Sequence, residues 1–458
     1  MEVQGSKAAI RLLGRLRAFT FLFRVSIFLV PWLTLCWFSN SARAYSLLTH
    51  EQIIDTCWKN ELTPALLRRF PGVREEELKK AHAYAYGGCL MPDMGYYPPG
   101  NRFFTDLTHY VRSGEFVANL INEATNVNEL AFALGALAHF CADNTGHPFI
   151  NRSVAITFPK LRKKYGDEIT YAENPKAHIR VEFGFDVSQI EKSRYTPQQY
   201  HDFIGFEVAK PVLEQAFLKT YGLRLGEIVK PVDLSIGTFR HAASKFIPDL
   251  TRAALEVDRF YLPKKDEEAK PKLERYHLSR SEYQKDWGRD YRNPSLLSRF
   301  LAFVLKFAPK VGPLKALAFK KPSPEVEELC IHSVNETLTA YRNILRRIGT
   351  DRVTLANMDC DTGRATGPGE YELSDQAYME LLHRLTKHGV ENISPELRQN
   401  ILGYFAQPQK VNLLTSRERR AWRRALVELE ALKDDRMARN PDSKSQPPKR
   451  PNEKARKG

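Results

Sequence analysis

Residues 128–148 read NELAFALGALAHFCADNTGHP. From Asn128 to Ala142 the residues Leu130, Leu134, Leu137 and Ala138 recur at helical spacing, with Asn128 as the expected cap and Gly146 and Pro148 as the expected stop. His139 and Asp143 close that apolar face one turn apart, and His147 is expected just past the helix end. An imidazole and a carboxylate four residues apart lie on one helix face and can grip one metal ion. The carboxylate keeps a second oxygen with which to bridge to another.

The same spacing returns at His178 and Glu182, on what reads as a second helix, and His50, Asp93 and His109 complete the set. Taken singly, His50 or His109 reads as a capping or core histidine, and His178 with Glu182 as a solvated pair. Taken together, eight zinc-type donors on a helical scaffold point to a site for several metal ions. His82, His201 and His241 lack partners at useful spacing and are assigned structural roles.

Outward from this stretch the chain reads as helix after helix. Helical spacing marks Glu51–Lys59, Arg74–Tyr86, Thr108–Glu123, Tyr200–Thr220, Ile236–Tyr261, Pro324–Ile348 and Ser374–Gly389, with a Pro- and Gly-rich loop from Pro92 to Asn101. No run of alternating strand residues stands out. The expected fold is mainly α: a multi-helical metal-binding bundle whose ligands point inward from facing helices, with a C-terminal helical extension.

The first 44 residues carry Lys7, Arg11, Arg15, Arg17, Arg24 and Arg43 around an apolar run from Val25 to Phe38, followed by Ser-Ala-Arg-Ala ending at Ala44. This is the layout of a secretory signal peptide cut before Tyr45, an uncleaved anchor being the alternative. Residues 45–262 are expected to form the catalytic helical domain, 263–294 a charged linker or insertion, 295–432 a C-terminal helical region, and 433–458 a disordered basic tail. The protein is therefore expected to be exported, to the periplasm or beyond. Its net charge of +15 is concentrated at the two ends of the chain. That charge assigns the tail a solubilising role, with contact to anionic lipid or nucleic acid as the alternative; no stable nucleic-acid partner is expected of the protein as a whole. Five cysteines remain after Cys36 is removed with the signal, widely spaced, and they read as buried thiols rather than a disulfide framework.

The order His50, Asp93, His109, His139-x-x-x-Asp143, His147, His178-x-x-x-Glu182 behind a cleaved signal resembles the bacterial zinc-dependent phospholipase C family, alpha-toxin and its relatives. That family is in turn similar to the single-strand-specific zinc nucleases. The resemblance, over roughly Tyr45 to Asp186, implies three zinc ions in one cleft. Asp93, His109, His139 and Asp143 would hold one, and His147, His178 and Glu182 a second. His50 and the amine and carbonyl of a mature N-terminal Tyr45 would hold the third, with Asp143 bridging. It also implies a phosphodiesterase that cuts phospholipids at the glycerol-side P–O bond with metal-activated water, and gives Asp93 the role of orienting or deprotonating that water. The gap from Asp143 to His147 is shorter than in the family pattern. Glu182 is the phospholipase choice where the nucleases use Asp.

Tyr96, Tyr97, Phe103 and Phe104 could wall a head-group pocket, or simply pack their loop. From 295 to 321 a basic amphipathic stretch suits peripheral membrane contact, or packing on the catalytic core. Two readings outside the phospholipase stay open: a single-strand nuclease, and a helical binding protein that zinc merely stabilises.

Overall fold

A computed structural model describes residues 47–192, 206–247, 320–349, 351–389, 393–406 and 415–433. The signal segment, Tyr45, His201, the linker and the tail beyond Lys433 lie outside the described residues. So does the 295–321 stretch apart from Lys320 and Lys321. Within the described residues the molecule is helical, and none of its helices is long and apolar enough to cross a membrane.

The central element is α6, Val127–Thr157, reached after α1 (Leu47–Cys57), α2 (Thr63–Arg69), α3 (Glu75–Leu90), α4 (Arg102–Tyr110) and α5 (Ser113–Glu123). It begins one residue earlier than expected, because Asn126 is the cap: its Oδ1 accepts from the backbone N–H groups of Asn128 and Glu129, each at 3.1 Å. It also runs a dozen residues past the expected stop. Gly146 is buried inside it, and Pro148 is tolerated at the cost of one intrahelical hydrogen bond, the one Asn144's carbonyl would have accepted. His147 thus sits within the helix, a second turn along the face that carries His139 and Asp143.

Long stretches of α6 are apolar on every side, so it must be covered on every side. On one flank α3 approaches to backbone contact: a Cβ on Gly88 would lie 1.9 Å from the Phe132 carbonyl oxygen, and one on Gly135 would lie 2.1 Å from that of Ala85. Three glutamates in the first turn of α3, Glu75, Glu76 and Glu77, suit the positive end of its dipole. After α3 a tight 3₁₀ turn, Met91–Tyr96, carries Asp93 and is tied to α4 by Thr108 Oγ1, which donates to the Pro92 carbonyl at 3.3 Å.

The helix expected over Thr108–Glu123 is two helices. Arg112 breaks it in a left-handed conformation (φ 51°), held by its guanidinium, which donates to the Thr220 carbonyl and to Glu115. Next come α7 (Pro159–Tyr165), α8 (Pro175–Glu191), α9 (Lys210–Tyr221), α10 (Leu225–Ile228) and α11 (Val232–His241). The Tyr200–Thr220 expectation shortens to α9, since Phe206–Ala209 is not helical and Pro211 fits only the first turn.

The second flank of α6 is covered by α12, Pro324–Leu345, whose Tyr341 hydroxyl donates to the Leu134 carbonyl at 2.9 Å. Then follows an element the sequence reading missed, a short antiparallel hairpin of β1 (Met358–Asp359) and β2 (Arg364–Ala365). Two residues per strand are too few for alternation to register. α13 (Glu372–His388), α14 (Pro395–Tyr404) and α15 (Ser416–Lys433) complete the chain, and apolar residues from Leu47 to Leu432 share one core.

Candidate metal centre

All eight side chains singled out in the sequence and described here are buried, and they meet along the inner face of α6. His139 Nε2 lies 3.1 Å from Asp143 Oδ2. The last turn of α4 brings His109 Nε2 to 3.4 Å from the same oxygen and 3.5 Å from Asp93 Oδ1. From the first turn of α1, His50 Nε2 faces the other oxygen, Asp143 Oδ1, at 3.6 Å, its ring stacked on His139. Farther along, Glu182 Oε1 on α8 stands 3.3 Å from His178 Nδ1 and 3.7 Å from His147 Nε2. Asp143 therefore presents its two oxygens to different imidazoles, the disposition a bridging carboxylate needs.

The outer nitrogens of the imidazoles decide what the inner ones can do. His109 Nδ1 meets the Thr105 carbonyl at 2.9 Å, His139 Nδ1 the Cys89 carbonyl at 2.9 Å, and His147 Nδ1 the Cys360 carbonyl at 2.6 Å. His178 is turned the other way, with Nε2 at 2.8 Å from the Ile169 carbonyl and 2.8 Å from Asn151 Oδ1. A carbonyl only accepts, so each of these outer nitrogens carries the hydrogen, and in the neutral ring the inner nitrogen is a lone pair. His109 Nε2 and His139 Nε2 are nevertheless only 3.1 Å apart, beside two carboxylates. Such a cluster needs positive charge at its centre, either a shared proton or metal ions. The donor set fits zinc: Asp93 Oδ1 and both oxygens of Asp143 meet no aligned hydrogen-bond donor among the described residues. The groupings His50–His139–Asp143 and Asp93–His109–His139 each bring their ligand atoms within 4.8 Å of one another.

Ionisation without metal reflects the same crowding. Burial pushes the Asp93 carboxyl up to about 6 against the pull of His139 and His109. It also drives Glu182 well above, and His50 and His178 below, their ordinary values. Burial opposes charge on His109 too, but the carboxylates of Asp143 and Asp93 outweigh it and raise that imidazole to about 9. Asp143 is held well below the usual carboxylate range because, although buried, it faces several imidazoles, His139 and His147 foremost.

Residues 49–228 match the family model of zinc dependent phospholipase C. The match supports the family resemblance carried by the order of the eight residues from His50 to Glu182. No curated protein and no solved structure matches the chain. The phospholipase C match takes in all eight buried ligand-type residues from His50 to Glu182, and it makes the domain a zinc-dependent hydrolase of phosphoric esters.

Around the centre of this phospholipase C domain the sequence reading missed several supports. Asp186, four residues past Glu182, accepts from Leu48 N at 2.9 Å and from Thr49 Oγ1 at 2.8 Å, fixing the start of the helix that carries His50. Asn151, four residues past His147, aligns His178. Extending each four-residue series by one step would have found both. The carbonyls of Cys89, Thr105 and Cys360 carry no side-chain signal.

The four aromatics considered for a head-group pocket are packed as follows. Phe104 is a core residue stacked on Phe217, Tyr97 packs against Phe239, and Phe103 lies under Arg384; Tyr96 is buried in the core. His82 is structural, as expected: its Nε2 meets Asp55 at 3.0 Å beneath the Trp58 ring. The five cysteines described are buried thiols.

Proposed function

We propose that the chain is an exported phospholipase C that hydrolyses the glycerol-side P–O bond of a phospholipid at three zinc ions. The observation that carries this reading is the convergence of carbonyl-oriented imidazoles on the carboxylates of Asp93, Asp143 and Glu182. Asp93, His109, His139 and Asp143 would hold one ion. His147, His178 and Glu182 would hold a second; His50, Asp143 and the main chain of a processed Tyr45 a third.

Zinc at these positions supplies a Lewis acid and a water acidic enough to act near neutral pH. The chain's own part is to hold the donors rigid, keep the site dry and manage the proton. His109, His139, His147 and His178 cannot swing, because each is tied at its outer nitrogen. Asp93 would hold the ion through one carboxylate oxygen and take the proton of the attacking water at the oxygen left free of metal. The water oxygen bonds to phosphorus, the phosphorus–glycerol oxygen bond breaks, and the departing glycerol oxygen takes up a proton, matching the one the water gave to Asp93, to become the hydroxyl of diacylglycerol. The basic 295–321 stretch would hold the protein at the lipid surface.

Asp93→Asn tests the assignment. Zinc-loaded variant and parent are compared on phosphatidylcholine vesicles, on other phospholipids and on single-stranded DNA, with metal content measured alongside. The variant should lose about 100- to 10,000-fold in turnover on phospholipid. Unchanged hydrolysis at full metal content would remove Asp93 from the chemistry, and faster cleavage of DNA than of lipid would make the protein a nuclease.

A further inference from the structure

The hairpin loop Asp359–Gly363 lies beyond the family match, which ends at residue 228, yet it touches three of the imidazole ligands or their supports. Cys360 N donates to the His109 carbonyl at 3.2 Å, and the Cys360 carbonyl meets His147 Nδ1. The next residue, Asp361, places Oδ1 at 3.5 Å from that same ring nitrogen. Its other oxygen accepts from the hydroxyls of Tyr110 at 2.9 Å and Tyr371 at 2.6 Å. Its carbonyl accepts from Asn151 Nδ2 at 3.0 Å, and Asn151 Oδ1 meets the His178 ring. One buried residue thus braces the outer side of His147 directly and that of His178 through Asn151.

The loop is shaped for this approach. Asp359 Oδ1 accepts from the N–H groups of Asp361 and Thr362, both at 3.0 Å, which folds the turn. Gly363 (φ 68°) packs where a Cβ would come 2.3 Å from the Asn144 carbonyl, the same carbonyl that Pro148 leaves without its helical donor.

We propose that Asp361 is a positioning residue for the second metal site. It holds His147 with Nε2 turned inward, makes that nitrogen a stronger donor, and through Asn151 fixes the tilt of His178. The loop around it is the outer wall of that site. The inference rests on the reading that His147, His178 and Glu182 hold a metal ion. A carboxylate behind a metal-binding histidine raises the basicity of the ring and fixes its orientation, and losing such a partner costs about 10- to 100-fold in metal affinity.

The test uses full-length protein stripped of metal and titrated with zinc against a chromophoric chelator, with cobalt loading to read ligand geometry from absorption. His147→Ala identifies the ion belonging to this site. Asp361→Asn, which keeps the shape and, with its amide oxygen toward Tyr110 and Tyr371, their hydrogen bonds, but replaces the negative charge behind His147 with an amide NH2, should weaken that one ion about 10- to 100-fold and shift its cobalt spectrum. The remaining ions and the melting temperature of the metal-free protein should stay as in the parent. Asp361→Ala should give the larger loss.

If His147→Ala removes an ion and both Asp361 variants retain it at parental affinity, the positioning role is wrong. A uniform loss of all ions together with a lower metal-free melting temperature would also overturn it, leaving Asp361 a purely structural group. If His147→Ala removes no ion, the metal reading itself fails, which is distinguishable from the other two results.

Discussion

Replacing Gly135 by alanine should damage both the fold and the metal centre, although alanine is the better helix former. In a helix interior the exchange favours alanine by about 1 kcal/mol. Here the new methyl would sit 2.1 Å from the Ala85 carbonyl oxygen and 2.8 Å from Cys89 N, both backbone atoms that cannot rotate aside. Ordinary contact begins near 3.4 Å, so α3 and α6 must part by about 1.3 Å at this point. Overpacking of this kind costs about 1–3 kcal/mol, and backbone-to-backbone contact belongs at the upper end, leaving a net loss of about 2 kcal/mol. The displaced turn of α3 is the one that carries Cys89, whose carbonyl orients His139 at 2.9 Å, so zinc affinity should fall with stability. Urea unfolding of the metal-free protein and zinc titration measure the two effects. Gly72→Ala, where a Cβ meets nothing within 4 Å, is the control and should change stability by about 0.5 kcal/mol or less. Equal stability and equal zinc content in the two variants would refute the close-packing argument.

Zinc binding should release protons at pH 7, because His109, raised to about 9 without metal, is protonated there and must surrender that proton to bind through Nε2. Calorimetry in buffers of different ionisation enthalpy reads this directly: the release from His109 should vanish above about pH 9, and affinity should fall further below about pH 6 as Asp93 takes up a proton as well. No buffer dependence at pH 7 would contradict the assignment. Asp186→Ala should cost about 0.5–2 kcal/mol, since it removes the acceptor for Leu48 N and Thr49 Oγ1 at the start of α1. Chemical denaturation checks that value, and a variant as stable as the parent would leave Asp186 without a capping role.

The proposed ligand set was legible in the sequence because its members are side chains with narrow chemistry at helical spacing, and the eight that are described are brought together. The helix limits were less legible, for identifiable reasons. Gly146 and Pro148 are local breakers, but burial of α6 between α3 and α12 outweighs the single hydrogen bond lost at Pro148. The break at Arg112 has only Ser113-Gly114 as a local signal; what holds it is the guanidinium, whose acceptor on Thr220 lies 108 residues downstream and is invisible to local pattern. Hardest to read were the carbonyl groups that select the tautomers of His109, His139, His147 and His178. They belong to Cys89, Thr105, Ile169 and Cys360, residues whose side chains have nothing to do with the role, so only the fold reveals them.

This distinction bears on what a phospholipase C domain needs in order to work. Residues 49–228 contain the imidazoles and carboxylates, but they do not contain every group that orients them. His147 takes its tautomer from Cys360, and α6, which carries three of the ligands, is apolar on the flank that α12 covers through Tyr341 and the paired hydroxyls of Thr145 and Thr337. Removing the chain beyond residue 228 would therefore expose an apolar flank of the central helix and release the ring of His147 while leaving every proposed ligand in the sequence. A metal centre built of buried imidazoles depends on the outer nitrogens as much as on the inner ones, and in this protein part of that outer layer is supplied from more than a hundred residues downstream.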